Sequence, residues 1–286
     1  MSRIEIAMEK AARLREGKGA APEAVIPGPP PEGPAEPGIQ AGKLTPGNPL
    51  LVNLHAPFSD TAEEYRKLKL ALVEISATDK AFHNMVLVTS SVPSEGKSLT
   101  AVNLAMSLAQ ELDHGVLLVD ADLRKPALHR YLEIEQGVGL SDLLVEKAQL
   151  GEAVIDTGIG KLSVIRAGSH IDNPAELFSS AKMKALVEQL RRTFPDRFLI
   201  FDTPPVLPFA ETRSLSRLVD GVLFVVMERL VSQANVREAM EALKGAHILG
   251  TVYNAALQAS HDERYSRYHG YYKRAGHGKA ATGASS

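Results

Sequence analysis

Cysteine is absent from the 286 residues, so neither disulfides nor thiolate metal sites hold this chain together, and a reducing cytoplasm suits it. No apolar run approaches the ~20 residues that a bilayer-spanning helix needs. The opening Met1-Ser2-Arg3-Ile4-Glu5 lacks the apolar stretch of a signal peptide, and a soluble protein is expected. Net charge is also scarce: the formal value is −2, which gives no overall pull toward nucleic acid or anionic membrane. The nine histidines show no ligand spacing. No internal repeat is evident. A hydrophobic content of 44% supports one large core, and a single α/β domain of about 200 residues fits the usual domain size.

What is present begins with Ser91-Val92-Pro93-Ser94-Glu95-Gly96-Lys97-Ser98. It follows the apolar run Met85-Val86-Leu87-Val88 and precedes Leu99, Ala101, Val102, Leu104, Ala105 and Leu108, which are spaced as a helix. Strand, loop and helix in that order are the context of a P-loop, although Ser91 stands where the pattern expects its first glycine. In such a loop, backbone N–H groups and the positive end of the helix converge on phosphate oxygens. Lys97 adds a mobile charge and the Ser98 hydroxyl can ligate Mg²⁺.

Two further strands end in carboxylates. Val116-Leu117-Leu118-Val119 runs into Asp120-Ala121-Asp122-Leu123-Arg124, and Phe198-Leu199-Ile200-Phe201 runs into Asp202-Thr203-Pro204-Pro205. Ligands in open α/β sheets sit at the carboxyl ends of strands, so Asp120, Asp122 and Asp202 are expected beside the phosphates. Elsewhere the pattern alternates. Strands are expected at 162–165, 221–226 and 249–252, and helices at 181–194 and 234–243. The expected fold is α/β, a mostly parallel sheet covered on both faces by helices.

These motifs resemble the bacterial tyrosine autokinases of capsule and exopolysaccharide export, P-loop NTPases related to the partitioning and Min-type ATPases. The resemblance covers residues 60–258 and the tail. It rests on the P-loop, on Val119-Asp120-Ala121-Asp122-Leu123-Arg124-Lys125-Pro126, on Phe201-Asp202-Thr203-Pro204-Pro205 and on Asn173-Pro174-Ala175-Glu176-Leu177-Phe178-Ser179-Ser180. The partitioning relatives carry an additional signature lysine early in the loop, where this chain has Val92-Pro93-Ser94. Matched position by position, the resemblance implies ATP and Mg²⁺ as cofactors. Ser94, Glu95, Gly96, Lys97, Ser98, Leu99, Arg124 and Asn254 would bind nucleotide, Asn254 in the adenine region. Ser98, Asp120 and Asp202 would bind metal. Lys97, Asp120, Asp122 and Asp202 would be catalytic, with Asp120, or else Asp122, accepting the tyrosine proton. Arg124 would steady phosphate or pair with Asp122.

The C-terminal segment places Tyr265, Tyr268, Tyr271 and Tyr272, four of the chain's seven tyrosines, within eight residues. It contains no Leu, Ile or Val, builds no core and reads as disordered. By resemblance these are the phosphate acceptors; the alternative is a basic aromatic tail that stacks on nucleic acid, which the kinase reading does not require. The segment Ala62-Glu63-Glu64-Tyr65-Arg66-Lys67-Leu68-Lys69-Leu70-Ala71-Leu72 reads as a charged helix. It resembles the family's Glu-x-x-Arg-x-x-Arg oligomerisation motif through Glu63 and Arg66, with Lys69 in place of the second arginine. The alternative is an ordinary solvated face.

Residues 1–16 suggest a short docking helix, similar to the opening of autokinases that accompany exosortase-type export, or else a frayed terminus. Residues 17–50 form a Pro/Gly-rich linker, 51–258 the kinase domain and 259–286 the tail. The resemblance implies a homo-oligomer, a separate membrane chain-length regulator with a cytoplasmic activating segment, and a tyrosine phosphatase as partners. It further implies a cytoplasmic protein recruited to the inner face of the membrane. The alternatives are a partitioning or Min-type ATPase and a nucleotide-binding scaffold.

Overall fold

The computed structural model describes residues 40, 41, 43–111 and 113–256. The expected docking helix, most of the linker and the four tail tyrosines lie outside the described residues.

Among the described residues, eight strands form one sheet: β1 (Gln40–Ala41), β2 (Met85–Ser90), β3 (Gly115–Asp120), β4 (Val154–Asp156), β5 (Leu162–Ile165), β6 (Arg197–Asp202), β7 (Gly221–Met227) and β8 (Ile248–Asn254). Their order is β1-β4-β5-β3-β6-β2-β7-β8. Every pairing is parallel except β4 with β5. The central strands β3, β6 and β2 are therefore neighbours, and all three end at the segments that carry the chemistry.

The continuous apolar runs follow from burial on both sheet faces. Met85, Leu87, Leu117, Val119, Leu199 and Phe201 join one core. The alternate residues Val86, Val88, Val116, Leu118, Phe198 and Ile200 join the other. Four helices of ten or more residues cover these faces: α1 (Asp60–Thr78), α2 (Lys97–Leu108), α3 (Ala181–Thr193) and α4 (Gln233–Ala242). Serine opens three of them in the same way. Ser59 accepts from Ala62 N–H, Ser180 from Met183 N–H and Ser232 from Asn235 N–H, each satisfying one donor of a first turn. Helix α2 differs: its N-cap is Gly96 at φ 89°, and nearly every residue from Lys97 to Leu108 is buried.

Sequence spacing located the long elements and missed small ones. Strand β4 is only three residues and pairs antiparallel to β5. The one-turn helices Val52–His55, Leu128–Tyr131, Leu140–Leu144, Leu150–Ala153 and Glu211–Leu215 are too short to show a 3.6-residue period. The final strand runs to Asn254 because it lies at the sheet edge, where burial alternates rather than being continuous. Asp122 lies in the loop beyond β3, which ends at Asp120.

No helix among the described residues is long and apolar enough to cross a membrane. Leu118 is fully buried in the middle of β3. Leu118→Ala should cost about 2–5 kcal/mol of stability, read as a lower urea midpoint with an unchanged slope.

Candidate active site

The P-loop is shaped by two left-handed residues, Ser94 at φ 71° and Gly96 at φ 89°. Gly96 admits no side chain: a Cβ there would lie 2.1 Å from Asn254 Nδ2. Glu95 between them is fully buried. Its Oε1 accepts from Val92 N–H at 2.8 Å and its Oε2 from Met227 N–H at 3.1 Å. Asn254 Nδ2 donates to the Glu95 carbonyl at 2.9 Å, and Ala255 N–H donates to Asn254 Oδ1. Both residues were expected at the nucleotide. The Glu95 carboxylate braces the loop against the end of β7, and Asn254 ties it to the end of β8. These contacts span 132 and 159 residues of sequence, which is why spacing along the chain did not announce them.

The other wall of the loop is the segment after β6. Thr203 N–H and Oγ1–H both donate to the Val88 carbonyl, Val206 N–H to Ser90 and Leu207 N–H to Ser91. Ser91 is itself buried. Its small side chain fits where the usual pattern has glycine.

Within this frame the structure brings Lys97, Ser98, Asp120, Asp122 and Asp202 together. Asp120 and Asp202 are register partners on adjacent strands, so their side chains leave the same sheet face. Lys97 Nζ lies 2.9 Å from Asp122 Oδ2, 3.1 Å from Ser98 Oγ and 3.8 Å from Asp202 Oδ1. The three carboxylates are 1%, 3% and 0% exposed. Asp120 is tied to backbone: Oδ2 accepts from Ala127 and Leu128 N–H, both at 3.1 Å, and Oδ1 from Asp122 N–H. Asp122 Oδ1 accepts from Lys125 N–H. Asp202 differs. No hydrogen bond of ordinary geometry reaches either of its oxygens.

The electrostatics follow from three acids around one base. Burial and the neighbouring Asp202 charge push Asp120 up to about 8, against the lowering effect of the Leu128 N–H. Burial likewise raises Asp202, although Lys97 and Ser98 pull it down. Burial disfavours the Lys97 ammonium, but Asp202 and Asp122 outweigh it and hold the lysine charged.

Among the described residues no group of three or more His, Cys, Asp and Glu converges on a metal position. Mg²⁺ does not need one, since it usually binds through one or two carboxylates with water and phosphate oxygens completing the shell. The unpartnered oxygens of Asp202 and the Ser98 hydroxyl fit that requirement. Asp120, expected as a third ligand, spends its oxygens on the backbone of residues 122, 127 and 128.

Arg124 pairs with Glu211 rather than with Asp122. Its Nε lies 2.7 Å from Oε1 of buried Glu211, and its guanidinium lies 4.7 Å from the centre of the Phe209 ring. Neither Phe209 nor Glu211 was marked by any motif. Leu99 is half-buried in the first turn of α2. Glu63, Arg66 and Lys69 lie on α1. Arg66 Nε donates to Glu63 at 2.7 Å and Arg66 Nη1 to the Pro57 carbonyl at 2.7 Å, while Lys69 pairs with Glu111 of the same chain.

Two outcomes follow. Glu95→Gln turns an amide N–H toward one of two backbone N–H groups, costing about 1–3 kcal/mol. Hydrogen exchange at residues 92–98 should accelerate and nucleotide affinity should fall. Asp202→Asn should raise the melting temperature of protein free of nucleotide and metal. Because the folded pKa of Asp202 is raised, the wild type loses stability as pH rises from its unfolded value through the folded one, so the gain should be larger at pH 8 than at pH 5.

A family model described as ParA, NUBPL iron-transfer P-loop NTPase, matches residues 81–282. The tyrosine-protein kinase YwqD of Bacillus subtilis is 35% identical over 78% of this chain and 90% of its own. The chimerical protein CapA2B2 superposes with a TM-score of 0.68 at 29% identity, over 77% of this chain and 94% of that one. The kinase domain of the Escherichia coli tyrosine kinase ETK does so with a TM-score of 0.68 at 27% identity, over 74% and 82%. A P-loop flanked by two aspartate-ended strands, on a mostly parallel sheet shared with these proteins, places the chain in the bacterial tyrosine-protein kinase family of ParA-type P-loop NTPases.

Proposed function

We propose that this chain is an ATP-dependent protein tyrosine autokinase that transfers phosphate to Tyr265, Tyr268, Tyr271 and Tyr272 of a neighbouring copy, and that this regulates exopolysaccharide polymerisation and export. The observation that carries the reading is the cluster at the ends of β3 and β6, with Lys97 held by Asp122 and Asp202 while the Asp202 oxygens lack hydrogen-bond donors.

The P-loop N–H groups and the N-terminus of α2 receive the phosphates of ATP. Lys97, charged and held at the mouth of α2, transfers its contact from Asp122 to the β- and γ-phosphates. Ser98 and Asp202 hold the cation, which when bound neutralises charge on the phosphates and on the carboxylates beside them. The attacking tyrosine must lose its proton, and its hydroxyl ordinarily titrates near 10. Asp120 is the favoured acceptor, and Asp122, freed when Lys97 moves, is the other candidate. Most of the rate comes from positioning and charge neutralisation.

Glu63, Arg66 and Lys69 contribute to an oligomer in which one copy's tail reaches the next copy's site. Activation comes from a separate membrane chain-length regulator, which recruits the protein to the inner face of the membrane. A tyrosine phosphatase reverses the modification. Each phosphate adds about −1.5 to −2 charge to the tail, enough to loosen a ring by repulsion.

Intact-mass and phosphopeptide analysis after incubation with Mg·ATP, with the partner's cytoplasmic segment present, tests this. Phosphate on the four tail tyrosines, absent from Lys97→Met, is expected. ATP hydrolysis with unmodified tyrosines would instead indicate a partitioning-type ATPase.

A further inference from the structure

Arg124 is oriented without being used up. Its Nε is bonded to Glu211, and among the described residues no hydrogen bond or ion pair engages its two Nη groups. The carboxylate that orients it is costly: Glu211 is 1% exposed, and no hydrogen bond reaches its Oε2. A buried carboxylate with one oxygen unpaired is tolerated where it positions another charge. The guanidinium also lies over the Phe209 ring, while its side chain stays 36% exposed.

The position of this group is fixed from two sides. Arg124 is two residues beyond Asp122, which bonds Lys97. Phe209 is two residues beyond Leu207, which bonds the P-loop at Ser91. The fork and the ring thus belong to the two segments that meet the phosphate-binding loop, through Asp122 and Leu207. An exposed, planar pair of donors suits a carboxylate, and an aromatic face beside it suits a second aromatic side chain. The chain itself carries that combination in Asp262-Glu263-Arg264-Tyr265, where two acids lie three and two residues before the first tail tyrosine.

Resting on the kinase reading above, we propose that Arg124 and Phe209, with Glu211 as the positioning residue, form a subsite for the acceptor segment that binds an acidic side chain two or three residues before the tyrosine to be phosphorylated. Arg124 then selects the acceptor rather than binding the nucleotide.

The test uses full-length chains in trans. The enzyme carries Tyr265→Phe, Tyr268→Phe, Tyr271→Phe and Tyr272→Phe, so that its own tail accepts nothing; the acceptor carries Lys97→Met. Combining Asp262→Asn with Glu263→Gln in the acceptor should raise the KM for Tyr265 phosphorylation about tenfold with kcat little changed. Arg124→Lys in the enzyme keeps the charge but loses the bidentate fork, and should raise the acceptor KM by a similar factor. The two changes together should add little more, as expected of residues in contact. An acceptor KM indifferent to either change, or an Arg124→Lys effect confined to the KM for ATP, overturns the subsite and leaves the kinase reading intact. The converse is read from binding of a fluorescent peptide of residues 258–274 to the full chain with a non-hydrolysable ATP analogue. If phosphate is never transferred yet Arg124→Lys weakens this binding about tenfold, the subsite stands and the kinase reading fails. Binding insensitive to Arg124→Lys overturns the subsite.

Discussion

Three buried carboxylates share one buried ammonium at the centre of this molecule, and the rest of the site is organised around that imbalance. Burial of a charge is costly unless it is paired, and Lys97 cannot pair with Asp120, Asp122 and Asp202 equally. The structure resolves this in three ways. Asp122 receives the lysine at 2.9 Å. Asp120 receives backbone N–H groups and holds its proton more tightly than an ordinary carboxylate. Asp202 has only the more distant Lys97 charge at 3.8 Å and no hydrogen bond of ordinary geometry. A site poised in this way is completed by an added cation together with an added anion, which is what Mg²⁺ and a nucleoside triphosphate bring.

The fold exists to hold that arrangement against its own repulsion. Parallel register sets Asp120 beside Asp202, and both strands are anchored by apolar side chains on each sheet face. The P-loop is braced on one side by Glu95 and Asn254 and on the other by the Thr203 to Leu207 segment. Loop and carboxylates thus belong to one hydrogen-bonded unit drawn from β2, β3, β6, β7 and β8. The Arg124, Glu211 and Phe209 group links the segment after β3 to the segment after β6.

Much of this was legible in the sequence because buried parallel strands are long apolar runs and because a P-loop is contiguous. The runs ending at Asp120 and Asp202 announced both the sheet and the position of the acids. Structure supplied what contiguity cannot. Arg124 is 87 residues from Glu211 and Glu95 is 132 from Met227, and no local period links them. Glu95 and Asn254 sit in or near nucleotide-binding motifs, and chain position gave no sign that their side chains also support the loop. The pairing of Lys69 with Glu111, 42 residues away, was likewise invisible in the sequence. Strand β4 and the one-turn helices escaped notice because three to five residues carry too little periodicity.

The central claim is that the spare negative charge at Asp202 is there to bind a cation with ATP. Equilibrium binding of ATP to the full chain, with Mg²⁺ and with the metal chelated, tests this most directly when repeated on Asp202→Asn. The account predicts that Mg²⁺ tightens ATP binding to the wild type by about tenfold or more and that most of this gain disappears in the variant. Equal affinity of the wild type for ATP with and without Mg²⁺, or an undiminished Mg²⁺ effect in Asp202→Asn, would contradict it.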